Sequence, residues 1–228
     1  MTDNKKTQRR KPLSREIVLE TALALSQDDG VDFTMRALAE RLGVTPMAIY
    51  RYFNDRDALK LAVIDQVLAE VLESEEGRWF VHGGQQERDE TFDETVQKFR
   101  RFSIRYFRIM VKYPDTAKAI TYGFLYSPRG QTLMFAGVAL LCRLGLETSR
   151  AAAVYQAIAT HILSIATIED ARRSGEASFE LPVALDENVK DDQSRDLITS
   201  VVINRGEARM LIGLDLYIAA LRAETGIK

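Results

Sequence analysis

Apolar residues recur along this chain at steps of three and four, with no comparable stretch of strict alternation. Leu61, Ile64, Leu68, Val71 and Leu72 follow that step, as do Val154, Ile158, Ile162 and Ile165, and again Leu211, Leu214, Ile218 and Leu221. Such spacing lines one face of a helix, whereas a half-buried strand would show period two. Prolines occur at 12, 46, 114, 128 and 182, leaving long stretches free of the residue that interrupts a helical ladder. The pattern predicts an all-α protein with helices over 14–29, 35–42, 46–52, 55–76, 87–113, 115–123, 129–145, 149–173 and 204–225, about nine in total. Ser14, Thr34, Thr45 and Asp55 stand where N-caps belong, and Gly30, Gly43 and Gly145 where a left-handed residue ends a helix. The glycines at 77, 83 and 84 predict a loop between the fourth and fifth helices. Residues 175–200, with Pro182 and an acidic cluster, read as a long loop or a short helix within one.

Composition changes this picture little. With 228 residues, 46% of them hydrophobic, and 31 Lys+Arg against 33 Asp+Glu, the chain is an ordinary globular one with a net charge of -2. That excludes a collagen, a rod or wholesale disorder, and a protein that coats nucleic acid by bulk charge, but not a local basic patch. The charge is uneven. Through Arg56 there are 10 basic and 8 acidic residues, and the remainder has 21 and 25. Lys5, Lys6, Arg9, Arg10 and Lys11 make a basic arm followed by Pro12 and further charges, unlike a signal peptide. The longest apolar run, Leu133 to Cys142, is too short to cross a membrane. Cys142 is the only cysteine, which rules out an internal disulfide and suits a reducing compartment, and its apolar neighbours predict a buried thiol. A cytoplasmic protein without a membrane partner is expected.

Residues 34–53, TMRALAERLGVTPMAIYRYF, carry the most information. A helix ends at Gly43 and another starts after Thr45, with Pro46 at the first helical position where its missing N–H costs nothing. Two helices joined by so short a turn cross steeply. That packing needs a small residue (Ala39), a glycine in the turn (Gly43) and an aliphatic plug (Ile49), with Phe33, Leu38, Leu42, Val44 and Phe53 completing a small core. This is the layout of a helix-turn-helix. The whole run from Ser14 to Ala69 resembles the N-terminal domain of the TetR family of bacterial transcription regulators, through Gly30, TMRALAERLGV, AIYRYF and NDRDAL. MLIGLDLYIAAL at 210–221 resembles the last dimerisation helix of many members.

The resemblance implies a basic flexible arm over 1–13, a DNA-binding domain over 14–57 and a helical ligand-binding and dimerisation domain over 58–228. It implies DNA contacts from Thr34, Arg36, Thr45, Pro46, Met47, Ala48, Tyr50, Arg51, Tyr52 and Arg56. Their chemistry is suitable. Arginine at 36 fits guanine O6/N7, Met47 and Ala48 offer apolar contact to thymine methyls, and Arg56 offers charge to phosphate. Tyr50 and Tyr52 match phosphate-contacting positions, and Arg51 either touches DNA or solvates the outer face.

For the larger part, aromatics crowd residues 99–126. The resemblance implies an inducer pocket there for a small, largely apolar ligand, with Phe99, Phe102, Tyr106, Met110, Tyr122, Phe124, Met134 and Tyr155 as candidate lining residues. Plain core packing is the competing reading for each ring. Arg101, Arg105 and Arg108 read as the solvated face of a helix, unless one turns inward to pair with an anionic ligand. Ala153, Ala157, His161, Leu211, Leu214, Ile218 and Leu221 are the expected homodimer interface. Two heads on a palindromic double-stranded operator give affinity that one short helix does not. No metal cluster, Walker, GxSxG or HExxH pattern occurs, so no cofactor and no enzymatic activity are expected. The expectation is a ligand-released repressor. An activator, a ligand-independent regulator, a helical enzyme and a protein-interaction module remain the alternatives.

Overall fold

Side-chain caps set where the helices begin. A computed structural model describes residues 12–30, 33–86, 90–123, 127–175 and 205–226, leaving aside the side chains of 29, 83–86 and 122. Among the described residues there are ten helices and no strands: α1 (Arg15–Asp29), α2 (Met35–Leu42), α3 (Pro46–Ile49), α4 (Arg56–Leu72), α5 (Glu75–Gln86), α6 (Phe92–Lys112), α7 (Thr116–Gly123), α8 (Pro128–Arg143), α9 (Thr148–Arg173) and α10 (Gly206–Thr225). The hydroxyls of Ser14 and Thr34 accept the amides of Ile17 (3.2 Å) and Ala37 (3.1 Å), and the Asp55 carboxylate accepts that of Ala58 at 2.7 Å. Thr91 and Glu94 form a reciprocal capping box at the start of α6. Thr45 departs from expectation. It stands at the N-cap of α3, but its side chain makes no capping bond.

The first three helices and the start of α4 enclose one small core. Val18, Ala22, Leu25, Phe33, Leu38, Ala39, Ile49, Phe53, Leu59 and Val63 are buried together, with Leu42 and Val44 packed against them. Gly43 ends α2 at φ 67°, ψ 38°, a left-handed conformation that costs a side-chain-bearing residue free energy. Its neighbour's amide, that of Val44, returns to the Ala39 carbonyl at 3.0 Å and closes the turn. Helix α3 is shorter than the expected 46–52. Beyond Ile49 the chain tightens, and the amides of Tyr52 and Phe53 both bond the Ile49 carbonyl, at 2.9 and 3.2 Å.

The larger core joins α4 through α10, centred on Val67, Leu68, Phe102, Met110, Ile120, Ile158 and Leu214. The loop expected around Gly77, Gly83 and Gly84 is instead α5, which also takes in His82. Ser74 caps it by accepting the Gly77 amide at 3.0 Å, and Phe80 is buried in the core. Burial of this aromatic outweighs the glycines' poor helix propensity. Along α6 and α10, Arg108 pairs with Glu207 (2.7 Å), Arg100 with Asp215, and Asp93 with Arg222, so the two helices run antiparallel. Cys142 is half-buried, its sulfur 3.9 Å from the Thr148 hydroxyl, and not enclosed as expected. The expected loop or short helix within 175–200 lies outside the described residues beyond Gly175, as does the arm up to Lys11.

Candidate functional site

The tip of the helix-turn-helix is built on Ile49, which is fully buried and fixes α3 against α2. With that face anchored, Thr45, Pro46 and Met47 point outward. Met47 is 74% exposed and Tyr50 42%, while Ala48 is half-buried. Thr34 is exposed with its hydroxyl committed to capping α2. Arg36 is exposed and pairs with Glu40 at 3.1 Å on the same helix face. Arg51 and Arg56 are exposed as well. Tyr52 stands apart from this surface. Its ring packs against the head core and its hydroxyl donates to the Leu13 carbonyl, leaving no proton for a phosphate in this conformation.

The head is wired to the bundle at two places. The Gln27 amide on α1 donates to the Tyr113 hydroxyl at 3.0 Å, which donates to Glu70 of α4 at 2.8 Å, and Lys112 donates to the same carboxylate at 2.9 Å. Burial raises the pKa of Glu70, but the bonds from Lys112 and Tyr113 outweigh it and hold the carboxyl below its ordinary value. Farther along α4, Asp65 accepts the Ser127 hydroxyl, the Arg129 amide (3.0 Å) and the Arg129 guanidinium. Burial again pushes this carboxyl up, and these three donors outweigh it and depress it. The start of α8 is thereby clamped to α4.

Among α5, α6, α8, α9 and α10 lies a cavity of about 50 Å³. Phe99, Phe102, Tyr106 and Tyr155, all expected lining residues, border it. Met110 is fully buried in the neighbouring core and Met134 half-buried on α8, and neither borders it. The Tyr122 side chain and Phe124 lie outside the described residues. Phe80, Gly137, Leu140 and Tyr217 complete much of the wall. Phe80 has no mark in the sequence as a lining residue, because the glycines of α5 resemble a loop. Phe80 and Phe102 stack with centroids 3.9 Å apart and planes 3° from parallel, and Tyr106 lies 7° from the Phe102 plane. A Cβ at Gly137 would sit 2.3 Å from the Tyr155 ring, so the bare backbone of α8 makes the room that ring occupies.

On the outside, α9 and α10 pack together. His161 is half-buried, its Nε2 donating to the Met210 carbonyl at 3.0 Å and its ring lying 5.9 Å from that of Tyr217. Leu214 and Leu221 are buried within this same chain, Leu211 and Ile218 partly so. For Leu214 and Leu221 this departs from the expected interface. The three-four stripe marks the face α10 turns inward, and a buried side chain offers nothing to a partner. Ala208, Ile212, Leu216, Ala219, Ala220 and Ala223 form the outward stripe, with Ile212 49% and Leu216 69% exposed. Beside it, α9 presents Ala153, Thr160 and Ser164, with Ala157 half-buried.

Residues 18–63 match the profile described as "Bacterial regulatory proteins, tetR family". Tetracycline repressor protein class C from Escherichia coli is 46% identical over 57 residues, a match that spans 25% of this chain and about a quarter (26%) of that relative's length. A possible TetR family transcriptional regulator from Streptomyces coelicolor A3(2) superposes with a TM-score of 0.71 at 21% identity, covering 92% of this chain and 99% of that one. The TetR family protein ActR from Streptomyces coelicolor, in complex with actinorhodin, superposes at 0.67 and 24% identity over 95% of this chain and 100% of that one. The head thus carries the sequence signature of the tetR family of bacterial regulatory proteins over residues 18–63, and the chain shares the fold of these solved structures over nearly its whole length.

Proposed function

We propose that this protein is a DNA-binding transcriptional regulator, a repressor that grips a palindromic operator as a homodimer and releases it when a small, largely apolar ligand enters the bundle cavity. The carrying observation is the surface of α3. A methionine 74% exposed and a half-open tyrosine gain nothing from water, yet they sit among Arg36, Arg51 and Arg56 on a rigidly anchored turn. Against a major groove, the apolar atoms meet thymine methyls and the arginines meet guanine and phosphate. Arg36 exchanges its exposed Glu40 partner, worth little in water, for a base. The work divides among a basic arm over 1–13, a reading domain over 14–57 and a ligand and dimer domain over 58–228. The second copy covers the outward stripe of α10 and the small residues of α9, where two helices from each chain make a four-helix contact. Two of the named relatives support the reading, one being a tetracycline repressor and the other a family member with actinorhodin bound.

Gel-shift titration against duplexes tiled across the promoter region of the chain's own gene tests this. The wild type should select one palindromic segment with a steep loss of affinity as salt rises. Arg36→Ala and Met47→Ala should each weaken it about ten-fold or more, the loss of a base contact, with the dimer intact by sedimentation. Undiminished binding by the double variant, or no duplex binding at any salt, would sink the reading.

A further inference from the structure

The cavity's own chemistry narrows its ligand further, on the reading that this cavity is the ligand site. Charge comes first. Among the described residues, the eighteen that border it are all uncharged. Arg105, whose Nε is buried on α6 without a partner, is not among them. An ionised ligand would shed its hydration and find no counter-charge among the described residues. Shape comes second. The planes of Phe80, Phe102 and Tyr106 run nearly parallel, giving a wall that favours a flat aromatic body in offset stacking.

The third feature is polar. Tyr106 and Tyr155 both border the cavity, and neither hydroxyl has a hydrogen-bond partner among the described residues. Burial pushes both phenols well above their ordinary pKa, and the proximity of Tyr155 adds to the effect at Tyr106. Both therefore keep their protons at neutral pH and act as donors. Enclosed hydroxyls in folded proteins are nearly always partnered, so two donors facing one apolar space await acceptors.

We propose that the cavity selects an uncharged, flat aromatic molecule carrying a carbonyl-type acceptor, held by the phenol O–H groups of Tyr106 and Tyr155. A volume of about 50 Å³ is far below the 300–1,000 Å³ range of ligand sites, so entry pushes the walls apart. The ring of Tyr155, seated on Gly137, meets the newcomer where α8 and α9 face each other.

Calorimetric titration of the full chain with three probes tests the proposal: 9-fluorenone, fluorene (the same shape without the carbonyl) and 9-fluorenone-4-carboxylate (the same body with a charge). Fluorenone should bind roughly ten-fold tighter than either of the others, the worth of about one to two hydrogen bonds. In Tyr106→Phe/Tyr155→Phe the preference for fluorenone over fluorene should vanish while fluorene affinity stays as in the wild type. Each single variant, measured alongside, should lose part of it. Equal binding of fluorene and fluorenone, a preference surviving in the double variant, tightest binding of the carboxylate, or no binding of any probe overturns the ligand class. The regulator reading is tested apart from this. Fluorenone that binds as expected but leaves operator affinity unchanged would refute ligand-linked release and leave the ligand class standing.

Discussion

Asp170 sits where α9 meets the turn between α6 and α7. One of its oxygens accepts the Asp115 amide at 3.2 Å, and the other is buried without a partner. Burial, with the charges of Asp115 and Glu169 adding to it, pushes this carboxyl up to about 7, against the pull of the Asp115 amide and Arg173. A carboxyl raised in the folded state binds its proton more tightly there than when unfolded, so stability falls as pH climbs from about 4 and the loss is complete above about 7. Asparagine keeps the acceptor and carries no charge. Asp170→Asn should therefore gain thermal stability over the wild type progressively between about pH 4 and 7, with a constant advantage above. Melting curves from pH 4 to 9 check this, and a difference independent of pH would refute it. At this scale the sequence is legible where partners are near. Ser14, Thr34 and Asp55 each cap an amide three residues on, and a local pattern finds them. Asp170 and Asp115 are 55 residues apart, and Tyr52 reaches Leu13 across 39, so nothing in either neighbourhood reveals the pair.

Helices are legible in the sequence wherever a stripe of large aliphatic residues runs along them, as in α4, α9 and α10, and obscure where composition misleads. In α5 the glycines look like a loop until Phe80 is seen buried. A helical stripe also tells which face is apolar without telling what covers it, so the stripe through Leu214 and Leu221 fits an inward face as well as an interface. The relation between α4 and α8 is a further case, since Asp65 has no local mark of its clamp on Ser127 and Arg129. That clamp gives α8 a mechanical role. Leu133, Gly137, Leu140 and Leu141 of α8 line the cavity, and the same helix is tied at its start to α4, whose other end carries the helix-turn-helix. On the proposed reading of a ligand-released regulator, a ligand that wedges the cavity open displaces α8, and α8 draws α4 with it. Asp65→Asn keeps an acceptor for the Ser127 hydroxyl and removes the charge that holds Arg129. Its expected effect is unchanged ligand affinity with ligand-induced release of DNA weakened several-fold, about 1 kcal/mol of coupling. Full release in the variant would place the transmission elsewhere, for example through Tyr113 and Glu70.

Taken as a whole, the molecule has more apolar surface than one chain buries. The 26-residue α9 is long and apolar enough by composition to cross a membrane, and only 33% of its most apolar window is buried in the chain. It packs against α6, α7, α8 and α10, as an interior helix of a bundle does, yet leaves Ala153, Thr160 and Ser164 exposed, as α10 leaves Ile212 and Leu216. In the proposed homodimer, a second copy related by a twofold axis covers these exposed faces and sets two reading heads at a fixed spacing. The net charge of -2 is divided in keeping with that proposal, the basic excess residing in the arm and head and the acidic excess in the larger remainder. Leu216 is the residue that tests it, because at 69% exposure it supports little within its own chain. Leu216→Asp buries an unpaired carboxylate twice in a symmetric contact, an effect of about 2 kcal/mol or more per copy. Sedimentation should find monomers at concentrations where the wild type is dimeric, helical content should be unchanged, and operator affinity should drop at least a hundred-fold, since each head then binds its half-site alone. A Leu216→Asp protein that still sediments as a dimer places the interface on another face, and one that is monomeric yet binds the operator at full strength removes the need for a twofold pair.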